Sequence, residues 1–219
     1  MKTSKCIIIV LILLLMQSCI MKSLNPFYKK ESIVYNASLI GEWKDSKKGK
    51  WQIASFKEEF EKENSGQEYL NNEDKESLEK YKDGYIISYT KSDKEAIFIA
   101  VPFKVNEQLY IDFTPFYYED DDLNNLLSQH LLKTHSVAKL IVNTSEISFS
   151  FLSEEVMKDI FKENKIRLNH TNTGIDDNLL LTANSSELHN FLTKFDKLDI
   201  ENKWRSSDVF NLKKINVQP

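Results

Sequence analysis

Three strand-like runs joined by very short links constrain the fold of this chain most strongly. The runs cover residues 84–91, 95–104 and 107–114, and the links at residues 92–94 and 105–106 have the length of β-hairpin turns. Parallel neighbours would need a crossover connection of about a dozen residues or more. The spacing therefore predicts an antiparallel meander.

The other strand-like runs are also short and are bounded by polar or turn residues. They cover residues 39–44, 50–56, 137–143, 146–152, 165–170, 178–183 and 208–215. Residues 45–49 form a turn between the first two runs, and Gly174 marks a turn between residues 165–170 and 178–183. Alternation of Ile147, Phe149 and Phe151 with serines indicates a strand with one buried face.

Helical periodicity predicts three helices, inserted between the strands. They cover residues 120–132, residues 153–164 and a segment that begins at Ser185. Ser153 is the predicted N-cap of the second, and Ser185 or Ser186 of the third. The highly charged residues 57–83 predict a surface excursion with one or two short helices. Together the pattern predicts an α+β fold, mainly antiparallel β, with a curled sheet or partly closed barrel of about ten strands in one domain at residues 39–219.

The first nineteen residues have the pattern of an export signal. Lys2 and Lys5 precede an apolar run at residues 6–16, which is too short to span a membrane. Ser18 and Cys19 follow the run. The segment resembles the signal of bacterial lipoproteins, in which the cysteine after the cleavage site is lipidated. The resemblance implies a signal peptide at residues 1–18, a lipid on Cys19 and attachment to the cell envelope, at the outer membrane facing the periplasm.

Cleavage before Cys19 would leave a chain with restricted chemistry. Removing Lys2 and Lys5 reduces Lys+Arg from 29 to 27 against 33 Asp+Glu, which gives a net charge of −6 and disfavours both nucleic acid and anionic lipid surfaces as partners. Cys6 leaves with the signal and Cys19 is consumed by lipid, so thiol nucleophiles and disulfides are excluded. Residues 19–38 are predicted to be a lipid-anchored tether whose second half packs onto the domain.

Gly41 and Trp43 lie on the first strand of an exported, strand-rich chain. This Gly-x-Trp pattern resembles that of lipocalins, in which the Trp plugs the closed end of an eight-stranded barrel. The resemblance implies that an arginine stacks over the Trp, and here either Arg167 or Arg205 would have to do so. The apolar neighbours of Trp43 predict independently that it is buried.

The motifs that would carry catalysis or a cofactor are missing from the sequence. The acidic residues 119–122 lack the alternate spacing and glycine of a calcium loop, and they are better explained as the first turn of helix 120–132. The histidines do not have metal-binding spacing, and there is neither a nucleophile elbow nor a glycine-rich phosphate loop. We therefore expect no enzyme activity, no metal and no cofactor.

Aromatic residues are densest around Pro115, at Tyr110, Phe113, Phe116, Tyr117 and Tyr118. They could line a ligand cup or form a docking patch for a protein partner at the envelope, or they could simply be a core strand leaving the sheet. The sequence favours a non-catalytic, lipid-anchored binding or assembly module. Two alternatives stay open: a lipocalin-like carrier of a small apolar ligand, and an envelope hydrolase whose residues meet only in the fold.

Overall fold

The structure, a computed structural model, describes residues 20–66, 69–117, 131–200, 203–204 and 209–215. Its strands are β1 (Lys22–Ser23), β2 (Gly41–Asp45), β3 (Lys50–Ser55), β4 (Tyr85–Lys91), β5 (Lys94–Val105), β6 (Gln108–Tyr117), β7 (Ser136–Val142), β8 (Glu146–Phe151), β9 (His170–Thr173), β10 (Asn178–Leu181) and β11 (Val209–Lys214). Its α-helices are α1 (Phe56–Glu63), α2 (Asn72–Tyr81), α3 (Glu154–Lys162) and α4 (Ser185–Lys197). Short 3-10 helices cover Lys30–Ser32 and Ala37–Leu39.

Eight strands close into an antiparallel barrel with the order β11-β2-β3-β4-β5-β6-β7-β8. The predicted fold class, an α+β fold with a mainly antiparallel sheet that curls into a barrel, is therefore confirmed, and the closure is complete where the sequence predicts a curled or partly closed sheet. Strands β4, β5 and β6 form the predicted meander. A second, three-stranded sheet has the order β1-β10-β9.

The barrel interior is one of two hydrophobic clusters. Because side chains alternate along a strand, every second residue of the barrel strands points inward. The buried members of this cluster are Leu39, Trp43, Trp51, Ile53, Tyr85, Ile87, Ala100, Ile111, Phe113, Ala138, Leu140, Ile147, Phe149, Phe151 and Leu212.

The second cluster lies on the outer face of strands β4 to β7. There Val101, Phe103 and Tyr110 are covered by Met21 and Phe27 of the N-terminal segment and by apolar side chains of α1, α3 and α4. Strand β5 is therefore buried on both faces. This explains its nearly continuous apolar sequence, which a half-exposed strand would not have.

The helix predictions are largely confirmed. Helices α1 and α2 are the two short helices expected within residues 57–83, and α3 begins after Ser153 as predicted. The cap of α4 was predicted one residue too late. Asn184 is the N-cap, because its side chain accepts from the backbone N–H of Glu187 while the Glu187 carboxylate accepts from Asn184.

Two other predicted segments need comment. Helix 120–132 lies outside the described residues except for Leu131 and Leu132, which are irregular. The strand predicted at residues 165–170 is wrong for most of its length, since β9 begins only at His170. The turn at Gly174 is confirmed, and this residue has a φ of 74°.

The interpretation of residues 20–38 as a tether needs correction. Met21 and Phe27 are fully buried, and β1 pairs in parallel with β10. Further along, the backbone N–H of Val34 donates to the Pro102 carbonyl of β5. The segment is long enough to reach the barrel surface and has apolar side chains to bury there, so it packs as part of the domain.

Candidate functional site

The barrel interior is filled by aromatic rings that meet across it. Trp51 of β3 contacts Phe149 of β8 at 5.5 Å between ring centroids, and Phe149 contacts Phe113 of β6 at the same distance. Phe113 in turn meets Phe98 of β5 at 5.9 Å. These strands are not all neighbours in the sheet, so their rings bridge the barrel. The interior is thus a packed core.

Trp43 is buried as predicted, with 1% of its surface exposed, and its indole N–H donates to the Leu39 carbonyl at 2.9 Å. The cation over its ring is Lys214, with Nζ 5.3 Å from the ring centroid. Lys214 reaches this position because β11 pairs with β2 in a register that puts it opposite Trp43. The expectation for an arginine is therefore wrong for Arg167, which lies elsewhere, and Arg205 is outside the described residues.

The structure explains why the Gly-x-Trp pattern has glycine at position 41. Gly41 has a φ of 135°, a backbone conformation that other residues rarely adopt. A Cβ atom built on it would lie only 3.3 Å from Cε of Lys214. Glycine at this position therefore leaves room for the lysine that covers Trp43.

A buried acid–histidine pair lies under the N-terminal segment. Nδ1 of His135 is 2.7 Å from Oδ1 of Asp112, and Oγ1 of Thr114 is 2.9 Å from the same nitrogen. The other carboxylate oxygen of Asp112 accepts from the backbone N–H of Phe27 at 2.9 Å. Burial raises the pKa of Asp112, and the hydrogen bond from His135 partly opposes this rise.

The Asp112 side chain and the His135 backbone connect the N-terminal segment to the barrel, through Phe27 and Ser23. Asp112 lies on the covered outer face of β6 and His135 immediately precedes β7, and neither residue lines the two clefts described below. Asp112 is 1% exposed, so we interpret its interactions as structural: they hold the N-terminal segment on β6. Sequence reasoning missed the pair, although a single Asp within the apolar run 109–113 was a usable signal.

The predicted aromatic patch does not form one surface. Tyr110 is fully buried, and its hydroxyl donates to Asp196 of α4, so its prediction as a contact residue is wrong. Phe113 points into the barrel. Phe116 occupies a bulge opposite Ile97 and Phe98 and is 42% exposed. The backbone of Tyr117 ends β6, whereas its side chain, Tyr118 and the lipidation candidate Cys19 lie outside the described residues.

A cleft of about 510 Å³ lies between α3 and α4, and we call it the α3–α4 cleft. Its lining residues are Phe161, Asn164, Ile166, Arg167, Leu168, Asn169, His170, Glu187, Asn190, Phe191 and Lys194. His170 stacks on Phe161 with ring centroids 4.1 Å apart and ring planes 7° from parallel. The carbonyl of Leu168 is 2.8 Å from Nδ1 of His170, so this nitrogen donates to it.

The charges of the α3–α4 cleft favour an anionic group. Arg167 and Lys194 contribute two cations, and the carboxylate of Glu187 is engaged in the cap of α4. The side-chain amides of Asn164, Asn169 and Asn190 add hydrogen-bonding groups beside the Phe161–His170 stack. This arrangement can bind a polar ligand or a partner segment that carries carboxylates or phosphates.

A second cleft, of about 710 Å³, lies between residues 26–33 and α2. Tyr28 and Ile33 form its apolar part, and burial raises the pKa of Tyr28. On the rim, Glu79 accepts from Lys30 at 2.9 Å and from Lys82 at 2.7 Å. Because these hydrogen bonds favour the ionised carboxylate, the pKa of Glu79 falls to about 2. Lys75, Lys80, Glu76 and Asp83 also line this cleft, so four lysines and three carboxylates face it.

Comparison with protein-family models, with curated protein sequences and with solved structures finds no match. Among the described residues, no group of three or more His, Cys, Asp or Glu side chains could hold a metal ion. Within the same parts of the chain, no helix is long and apolar enough to cross a membrane.

Proposed function

We propose that this chain is a lipid-anchored protein of the bacterial cell envelope, held at the outer membrane on its periplasmic side, that acts as a non-catalytic binding or assembly module. The observation that carries the proposal is the packed barrel interior, bridged by Trp51, Phe149 and Phe113. A carrier of the lipocalin kind needs an empty apolar interior of about 300–1,000 Å³. Because this interior is occupied by side chains, binding has to use the outer surface.

The α3–α4 cleft is the surface we propose for binding. It combines an aromatic stack, three amides and two cations in one concave site, a composition suited to an anionic ligand or partner segment. Its walls are two helices and a loop attached to the barrel. The hydrolase alternative is not supported by the Asp112–His135 pair, because that pair is buried and bonded to the N-terminal segment.

A site-specific crosslinking experiment tests the proposal. A photoactivatable amino acid replaces Asn190 in the lipidated protein, and crosslinks are collected in cells. Charge reversal by Lys194→Glu should reduce the crosslinked products at least fivefold. The matched control, Lys197→Glu, changes an exposed lysine on the same helix that does not line the cleft, and it should leave them unchanged.

Three results would count against the proposal. Crosslinks that are insensitive to Lys194→Glu would remove this cleft from consideration. A small apolar molecule that co-purifies in stoichiometric amount would favour the carrier, and a hydrolytic turnover that disappears in His135→Ala would favour the enzyme.

A further inference from the structure

The three-stranded sheet ends in an edge strand, β9, whose outer side is not covered by any other strand of the described chain. β9 pairs only with β10, and all four of its residues are exposed. An uncovered edge presents unpaired backbone N–H and C=O groups, which are a template for another strand. Natural edges are commonly protected by lysines or prolines, and the sequence of β9, His-Thr-Asn-Thr, contains neither. The outer side of β9 is therefore open to strand pairing.

The register of β9 shows which of its backbone groups point outward. Along an antiparallel pair, residues that bond to the neighbouring strand alternate with residues whose N–H and C=O point away from it. Across this ladder His170 lies opposite Leu181, and Asn172 lies opposite Leu179. The carbonyl of Leu181 accepts from the N-terminal segment and the N–H of Leu179 donates to Glu154, so both point away from β9. The backbone groups of His170 and Asn172 therefore point to the open side.

The α3–α4 cleft lies at the start of this edge. His170, the first residue of β9, lines the cleft together with the residues just before it. The cleft supplies two cations at this end of the strand, Arg167 and Lys194. At the other end, Asp176 and Asp177 are exposed in the turn to β10. The edge therefore has a positive end at the cleft and a negative end at the turn.

We propose that the protein partner of the α3–α4 cleft binds through an extended segment that adds to β9 as a fourth, antiparallel strand and puts acidic side chains into the cleft. The inference rests on the proposed function and gives the partner a form and a charge pattern. Antiparallel pairing is the more stable arrangement per residue, and it brings the C-terminal end of the segment to Arg167 and Lys194. A basic residue at the N-terminal end of the segment then faces Asp176 and Asp177.

The occupant is a peptide segment because backbone groups and charges face the same path. A small anion would use the cations of the cleft and leave the outward N–H groups of β9 without a partner. Only two residues of β9 point outward, so backbone pairing alone supplies few hydrogen bonds, and the charges at the two ends must add to them. Charge complementarity also fixes the direction in which the segment binds.

Two synthetic peptides of equal composition test the charge pattern and the direction. The first is acetyl-Lys-Lys-Val-Thr-Val-Thr-Asp-Asp-amide, and the second has its acidic and basic ends exchanged. Their capped ends leave the side chains as the only charges. Isothermal titration calorimetry with the full chain should show that the first peptide binds about tenfold more tightly. Equal binding of the two peptides would overturn the proposal.

Asn172→Pro tests the backbone pairing from the side of the protein. Proline removes the outward N–H of residue 172, and the ladder to β10 stays intact because this N–H does not take part in it. Asn172→Ala is the matched control, since it removes the same side chain and keeps the N–H. We expect Asn172→Pro to weaken binding of the first peptide about fivefold and Asn172→Ala to leave it unchanged. Equal affinities of the two variants, both with wild-type circular dichroism, count against strand addition.

N-methylated peptides make the same test without changing the protein. One version of the first peptide is methylated on the backbone nitrogens of both Val residues, and the other on those of both Thr residues. Because alternate N–H groups of a strand point to the same neighbour, one version should lose binding and the other should keep it. Equal effects of the two methylations would show that the peptide does not bind as a strand.

The crosslinks at position 190 distinguish failure of strand addition from failure of the proposed function. Crosslinks that depend on Lys194 but are unchanged in Asn172→Pro reject strand addition and leave the cleft as the binding site. Crosslinks that are insensitive to both changes reject both proposals. Self-association of the chain that disappears in Asn172→Pro would identify a second copy as the occupant and reject a different protein partner.

Discussion

Replacing Phe149 by alanine tests whether the barrel interior is packed. Phe149 has no exposed surface, and its ring contacts Trp51 and Phe113 on two other strands. Truncating a buried Phe to Ala costs about 3–5 kcal/mol, since the lost apolar contacts add to the cost of the cavity left behind. For a domain of this size each kcal/mol corresponds to about 2–4 °C, so the melting temperature should fall by roughly 6–20 °C.

The assay is urea unfolding followed by circular dichroism, with Phe116→Ala as the matched control. Phe116 is another barrel-strand phenylalanine, but it is 42% exposed, and its truncation should cost no more than about 1 kcal/mol. Benzene should partly restore the stability of Phe149→Ala and leave the wild type unchanged, because a dry apolar cavity binds such a molecule. A loss below about 1.5 kcal/mol for Phe149→Ala would refute a packed interior.

The remaining predictions concern the barrel end, the buried acid and the anchor. Trp43→Phe keeps a ring but leaves the Leu39 carbonyl without its donor, so we expect urea unfolding to show a loss of about 1–3 kcal/mol; a loss equal to that of the exposed Tyr69→Phe would contradict this. The folded state holds the Asp112 proton to a higher pH than the unfolded chain, so the stability contributed by this group is present below pH about 4 and is lost as the pH rises through the raised pKa. We therefore expect the wild type to lose unfolding free energy relative to Asp112→Asn as the pH rises from 3.5 to 7. A difference between the two proteins that does not change with pH would refute this. Cys19→Ser should abolish signal processing and keep the protein out of the detergent phase on phase partitioning; normal partitioning of a cleaved variant would show a different anchor.

Local patterns in the sequence were sufficient for most of the fold. The links at residues 92–94 and 105–106 are short enough to dictate hairpins, and the alternation at residues 146–152 is that of a strand with one buried face. Helix α3 was predictable because its apolar stripe and the N-cap Ser153 lie within a dozen residues of each other. These features depend on neighbours in the chain, so periodicity and turn chemistry suffice to find them.

The contacts that form the candidate sites depend on residues far apart in the sequence. Ser23 pairs with Leu181 across 158 residues, and Lys214 covers Trp43 only because β11 closes the barrel against β2. The burial of Tyr110 could not be predicted from the sequence either. Strands β5 and β6 are buried on both faces, so their apolar patterns do not show which side chains point into the barrel. The α3–α4 cleft brings together Arg167 of the loop after α3 and Lys194 of α4, and no spacing in the sequence relates them.

The covering layer links the proposed anchor to the rest of the surface. Because the barrel core is filled and the outer face of β4 to β7 is also buried, exposed concave sites arise where the covering elements meet. One N-terminal segment holds the anchor end at Ile20 and Met21, bonds to Asp112 through Phe27 and then forms a wall of the second cleft through Tyr28. The chain between Ile20 and Tyr28 is hydrogen-bonded to the barrel, so an anchor of the kind we propose, placed before Ile20, would restrict how the barrel is oriented. Any such restriction would depend on β1 and its partners, because these contacts join the start of the described chain to the barrel.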